Sequence, residues 1–374
     1  MKQHKTILVA AVQILFFSAL ILSNTIHSAI SLDGETKQDT LKKKRSGFTF
    51  FPIIFRSPDT KWAGGASVNY YYYASGNQEE GRPSTIAPTF IYTQRKQIIS
   101  SVGADLYWKN DTYNPSGGIT YIKFPDTFYG IGNNTSTDDA EDYTQRVIFF
   151  GLGFRKKIRS DLYIGVNYQF GHGKMLEVEA NGLLARGDIL GSRGGTVSGA
   201  GFSVNWDTRN NIFYPTSGGV YGFSVTLYNH AIGSDFDFVQ YGLDASKYVP
   251  LFSSHVLAFQ GVLTMRTGDP PFQLLSQLGG ILRGYVASRF IDKNLFAMQV
   301  EYRLPVWWRF GLVGFAGFGD VANKITDFEP GDFKHSVGWG IRYLFVRDEH
   351  INLRIDFGFG QDSSQFYISF FEAF

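Results

Sequence analysis

The chain has no cysteine, four methionines and twelve prolines, and charged residues make up only 18% of its 374 positions. Without cysteine there is no disulfide framework and no thiolate metal site. Soluble proteins of this size carry about 25% charged residues, so an ordinary soluble fold is disfavoured. A net charge of +2 gives no basis for a polyanion partner, and no nucleic acid is expected. After residue 22 no apolar run approaches the ~20 residues of a spanning helix. What the chain has in quantity is 42 Gly, 35 Phe and 21 Tyr, the composition of a β protein with much outward apolar surface.

Lys2, His4 and Lys5 precede an apolar run from Ile7 to Leu22, then small and polar residues through Ser28 and Ala29. This order predicts a secretory signal over 1–29. His27 makes the cleavage zone imperfect, which leaves an uncleaved anchor as the alternative. No cysteine follows, which excludes lipoprotein processing. An exported chain without later membrane helices is periplasmic, secreted or an outer-membrane barrel. Residues 30–46, ending in Lys42–Arg45, read as a short polar periplasmic tail, and 47–374 as one barrel domain.

From Gly47 onward apolar and polar residues alternate with period two. Leu162, Ile164, Val166, Tyr168 and Phe170 share one face, as do Phe296, Met298, Val300, Tyr302 and Leu304. The opposite face carries Gly, Asn, Gln and charge, including Glu301, Arg303, Arg342 and Arg354. An apolar face rich in aromatics and a polar second face suit a membrane barrel better than a sandwich, and only closure satisfies every strand in lipid. Sixteen antiparallel strands are predicted: 47–56, 62–75, 84–95, 97–108, 116–124, 143–157, 160–171, 196–208, 217–229, 236–249, 253–267, 293–304, 308–320, 332–345, 350–360 and 365–374. Short turns then alternate with long outer loops at 125–142, 172–195, 268–292 and 321–331, with both termini periplasmic.

No enzyme constellation emerges. His172, His230, His255, His335 and His350 lack metal spacing, no Gly-x-Ser-x-Gly elbow is present, and no convincing Ser–His pair supports an outer-membrane lipase. No cofactor is expected. The informative stretch is Gly279–Phe290 in the sixth outer loop, too apolar for a solvated loop, which predicts that it folds inward. Two strands later comes Gly317-Phe318-Gly319-Asp320. With Asp320 placed on the inward face beside Leu312, Gly314, Ala316 and Phe318, Arg283 is predicted to pair with Asp320 inside the barrel.

These residues resemble the barrel domain of the bacterial surface antigen family, the BamA/TamA-type outer-membrane assembly and translocation proteins. Leu282, Arg283, Gly284 and Tyr285 match the sixth-loop motif [VIL]-Arg-Gly-[FY]; Phe318 and Asp320 match Phe-x-Asp-x-Gly, with Ala322 where Gly is usual. Asp207-Thr-Arg209 with Pro215 and Gly218 is similar to a family turn, Arg354-Ile-Asp356-Phe-Gly358 to the penultimate strand, and Phe374 to a terminal β-signal aromatic. The resemblance covers 47–374. It implies a bacterial outer-membrane location, contact with membrane lipid, assembly partners, and client polypeptides or lipids entering at a weak seam between the first and last strands. Full-length members carry periplasmic POTRA domains, and 30–46 leaves no room for one, so a barrel-only member is expected. At the seam, Pro52 cannot donate a ladder hydrogen bond; it either weakens the pairing there or merely ends it at an edge. Phe366, Ile368, Phe370 and Phe374 are predicted to face lipid, with Glu372 interrupting them near the rim. The alternative function is a passive channel or structural barrel with the loop as a plug.

Overall fold

The computed structural model describes residues 46–73, 83–252, 254–347 and 350–374; the predicted signal peptide and residues 30–45 of the tail lie outside them. Runs of alternating Phe, Tyr, Val, Ile and Gly form β1 (Gly47–Ser57), β2 (Lys61–Tyr72), β3 (Ser84–Thr93), β4 (Ile98–Asp105), β5 (Tyr113–Phe128) and β6 (Glu141–Arg159). They continue through β7 (Leu162–Val178), β8 (Gly194–Asp207), β9 (Gly218–Tyr228), β10 (Phe238–Leu251) and β11 (His255–Gly268). A two-residue hairpin, β12 (Ser276–Gln277) with β13 (Ile291–Asp292), belongs to the sixth loop. The wall resumes with β14 (Asn294–Trp307), β15 (Phe310–Ala322), β16 (Lys334–Val346), β17 (Ile351–Gly360) and β18 (Ser363–Phe370). Apart from β12 and β13, the strands close into one antiparallel barrel of sixteen.

Alternation sets the two faces. Leu152, Phe202, Trp206, Met298, Leu312 and Trp339 are exposed on the outside, where only lipid suits them. Their sequence neighbours point inward, and Glu301, Arg303 and Asp356 are almost fully buried there. The longest connections, including 269–293, lie at one rim, the outer one by the usual pattern of such barrels.

The lumen is polar only in part. On the side of β1 to β5, Ala63, Ile91, Ile99, Ile122 and Phe124 form an inward apolar cluster, with Ile53 and Phe55 of β1 packed on it. β1 is therefore apolar on both faces, since Phe48, Phe50 and Ile54 point outward. The charge is concentrated on the opposite wall, β14 to β17.

Candidate functional site: a lumenal ion cluster and an open seam

The register brings inward residues of five strands level with one another. Glu301 of β14 lies opposite Phe315 of β15, Phe315 opposite Gly338 of β16, and Gly338 opposite Gly358 of β17. One inward step below, Arg303, Val313, Gly340, Asp356 and Tyr367 form the next row, ending on β18. Small residues between large charged ones leave room for the side chains to converge.

Arg283 enters this space from the sixth loop. Its Nη1 donates to Asp356 Oδ2 at 2.8 Å, and its Nη2 lies 2.8 Å from Glu301 Oε2. That second approach is off-line for a hydrogen bond, so charge alone holds it. The guanidinium stacks over Phe315, 3.5 Å from the ring centroid, a cation–π contact strengthened by exclusion of water. Arg303 Nε donates to Glu301 at 2.8 Å, and Arg342 donates to Asp356 at 2.5 Å and to Glu372 at 2.7 Å. Arg354 Nε lies 3.5 Å from Asp356. Four guanidinium groups thus meet three carboxylates, nearly all out of water. Charges held this way cost several kcal/mol each to desolvate and persist only when mutually paired.

The loop tip is fitted to β17 by its backbone. Gly284 has φ +107°, and a Cβ there would stand 2.7 Å from Gly360 N and 2.8 Å from Phe359 C. Only glycine meets both demands. A Cβ on Gly358 would in turn meet Gly284 N at 2.7 Å. Gly284 N donates to Tyr367 Oη of β18 at 3.1 Å, and Ser363 Oγ donates to Gly284 O at 2.6 Å. Ser336 Oγ donates to Arg283 O. Tyr285 Oη donates to His335 O at 2.6 Å and accepts from Gln361 N at 2.8 Å. Its ring packs edge-on against Phe290, with centroids 5.8 Å apart, among Leu278, Leu282, Leu295 and Val321. The far end of the loop is tied across the lumen: Ser288 Oγ donates to Thr127 O of β5 at 3.0 Å, and Arg289 binds Thr135.

The predicted partnership of Arg283 with Asp320 is overturned. Asp320 has the same parity on β15 as Leu312 and Phe318, whose exposure shows that this face is outward; the inward residues are Val313, Phe315 and Gly317. Asp320 accepts from Asn133 of the β5–β6 loop at 2.9 Å, at the outer mouth. Phe318 likewise points outward, 5.8 Å from Phe333. The residues of β15 that do meet the loop are on its inward face: Phe315 under Arg283, Val321 in the cluster around Tyr285, and Gly317, where a Cβ would stand 2.9 Å from Leu282. Glycines occur on both faces of β15, so they could not identify the inner one. Asp356 and Glu301 were the partners missed. Each was legible as a carboxylate two residues from an arginine on the same face of its strand, Glu301 beside Arg303 and Asp356 beside Arg354.

The closing strand is also corrected. β18 ends at Phe370, and Phe371 with φ +69° turns the chain out of the sheet. Glu372 is drawn inward by Arg342 and by Asn352, whose Nδ2 donates at 2.7 Å. Phe374 consequently packs inside, against Tyr248, Val256 and Ala258, and Arg303 Nη2 donates to its main-chain oxygen at 2.9 Å. Phe366 and Phe370 do take the outward parity; Phe366 stacks on Phe357 with centroids 4.8 Å apart, and Phe370 meets Phe345 at 5.5 Å.

This departure leaves a seam. Between β1 and β18 the described residues show one registered pair, Arg56 opposite Ile368, whereas β1 pairs with β2 continuously from Gly47↔Tyr71 to Ser57↔Lys61. Residue numbers of antiparallel partners have a constant sum, here 56 + 368 = 424. A continued ladder would set Ile54 against Phe370, Pro52 against Glu372 and Phe50 against Phe374, but Glu372 and Phe374 have gone inside. Gly47–Phe55 therefore presents an unpaired edge. Phe48 and Phe50, at 75% and 64% exposed, have β2 on one side, where Phe48 lies 4.9 Å from the Tyr70 ring, and no registered β18 partner on the other. Pro52 faces outward opposite Ala66 of β2, within this open stretch.

The Omp85 superfamily domain matches residues 65–371. Among solved structures, BamA from Haemophilus ducreyi lacking POTRA domains 1–3 is similar with a TM-score of 0.62 at 14% identity, over 87% of this chain and 70% of that one. CdiB from Acinetobacter baumannii and CdiB from Escherichia coli are similar with a TM-score of 0.56 each, at 10% and 9% identity. Each covers 87% of this chain, which spans 60% and 62% of theirs. No curated protein matches the sequence. With a closed sixteen-stranded barrel and a domain match over most of its length, the chain belongs to the Omp85 superfamily and is a barrel of the bacterial outer membrane.

Proposed function

We propose that this barrel assists the insertion or translocation of polypeptides or lipids at the outer membrane, without catalysing a covalent reaction, and that the seam between β1 and β18 is where a client enters. The observation that carries this reading is the unpaired Gly47–Phe55 edge beside a single registered pair. An exposed strand edge offers a row of unmet N–H and C=O groups to an incoming strand. β1 is apolar on both faces there, so a client strand joining it would keep lipid on one side and the Ile53–Phe55 cluster on the other. The loop-six ion cluster holds β14 to β18 rigid, which concentrates opening at the seam. Leu282, Arg283, Gly284 and Tyr285 act as the clamp; Pro52, Phe366, Phe370 and Phe374 belong to the seam and its inward tail.

Affinity purification from membranes tests the assembly role, together with the levels of other outer-membrane proteins after loss of this chain. Co-purifying periplasmic or outer-membrane partners and depleted barrels are expected. If nothing co-purifies and other barrels persist, the reading fails. One observation favours a plugged channel instead: loop six is fastened to both β17 and β5. That reading predicts a steady conductance in planar bilayers that rises when the Arg283 clamp is removed, with no effect on other barrels.

A further inference from the structure

Lys123 of β5, Arg146 of β6 and Lys174 of β7 stand directly opposite one another across three neighbouring strands. All three share the outward parity of Ile148, Phe150 and Leu152, which are exposed to the membrane. Like charges placed opposite in a sheet repel, and the wall gives them nothing in return. Among the described residues none of the three forms an ion pair. The nearest carboxylates toward the rim are engaged elsewhere: Glu177 accepts from Thr144 Oγ1 at 3.2 Å and Asp142 from Thr127 Oγ1 at 2.8 Å.

The height of this row is fixed by β6. Between Arg146 and Lys156 the outward residues are Ile148, Phe150, Leu152 and Phe154. Ten residues at about 3.3 Å each span about 33 Å along the strand, or about 25 Å once the strand tilt of such barrels is allowed for, the height of their apolar band. Arg146 therefore sits at the outer interface and Lys156 at the periplasmic one. Three strands about 4.8 Å apart spread the cations over about 10 Å, wide enough to meet more than one phosphate. The row beneath carries Tyr121, Ile148 and His172, polar groups for sugar hydroxyls beside apolar surface for acyl chains.

We propose that Lys123, Arg146 and Lys174 form a binding site for the phosphorylated glycolipid of the outer leaflet. The site lies on the outside of the wall, away from both the seam and the loop-six clamp, and does not depend on the proposed role of either.

The test reconstitutes the whole chain into phosphatidylethanolamine nanodiscs containing a small fraction of bisphosphorylated lipid A, and measures the retained glycolipid by native mass spectrometry. The variant K123Q/R146Q/K174Q is expected to lose affinity roughly 100-fold, about 1 kcal/mol per cation removed, while K156Q at the opposite interface leaves it unchanged. Equal retention by the triple variant overturns the proposal. So does equal retention of phosphatidylglycerol in place of lipid A, or an equal loss in K156Q. If the triple variant does not fold, R146Q alone decides: a roughly fivefold fall supports the site, and unchanged retention overturns it.

Discussion

Removing the Asp356 carboxylate is expected to damage the barrel more than removing the arginine that loop six brings to it. In Arg283→Ala, Glu301 keeps Arg303 at 2.8 Å and Asp356 keeps Arg342 at 2.5 Å, so neither anion is stranded. The cost is then the docking of the loop itself: one charge-assisted hydrogen bond, one ion contact and the stacking on Phe315, about 2–3 kcal/mol together. In Asp356→Ala, four guanidinium groups face only Glu301 and Glu372, and Arg354 is left with Ser369 Oγ at 3.1 Å. Stranding buried charge in this way costs about 3–5 kcal/mol. The double variant relieves one of the excess cations, so its cost is expected to fall short of the sum by more than about 0.5 kcal/mol. Urea unfolding in lipid vesicles, followed by the heat-dependent gel mobility of folded barrels, measures all three. An Asp356→Ala variant as stable as Arg283→Ala, or strictly additive effects, would refute the ion-cluster reasoning.

Asp320→Ala is expected to be milder, losing the tie to Asn133, and to combine additively with Arg283→Ala within about 0.5 kcal/mol; strong coupling in the same cycle would restore the discarded pairing. Gly284→Ala meets both an unfavourable φ and the β17 backbone, so the loop tip is expected to undock. Protease cleavage within 278–290 of the folded barrel reports it, and a protected loop would count against the fit. Tyr285→Phe deletes the hydroxyl that serves both His335 O and Gln361 N, at about 1–3 kcal/mol, measurable by the same unfolding assay; no change in stability would mean those groups find water. Glu372→Ala is expected to free residues 371–374 from the lumen, raising carboxypeptidase trimming of the folded protein above that of the parent chain. Equal trimming would mean that Phe374 alone anchors the tail.

The barrel was almost wholly legible in the sequence, because lipid on one face enforces period-two alternation strand by strand. Strands such as Ile351–Gly360 differ from their expected bounds by a single residue. The site was legible in its actors but not in its pairing. Arg283 was identifiable as a buried loop arginine, yet its partner depended on which face of β15 is inward, and Gly314 and Gly317 make the two faces alike in composition. The turn at Phe371 was not legible either. Phe366, Ile368 and Phe370 continue to Phe374 with only Glu372 out of place, and the force that bends the tail inward comes from Arg342 and Arg303, far away in sequence. The Lys123–Arg146–Lys174 row became visible only once register aligned three strands that are individually unremarkable.

The central claim is that the β1–β18 seam must part for the protein to work. Arg56 and Ile368 face each other directly, at the separation of antiparallel partners that a disulfide can bridge, and the parent chain has no cysteine to interfere. Cells whose only copy of this chain is R56C/I368C are expected to lose other outer-membrane barrels under oxidising conditions and to recover them on reduction, while each single variant behaves as the parent. Unchanged barrel levels with the cross-link fully formed would contradict the account.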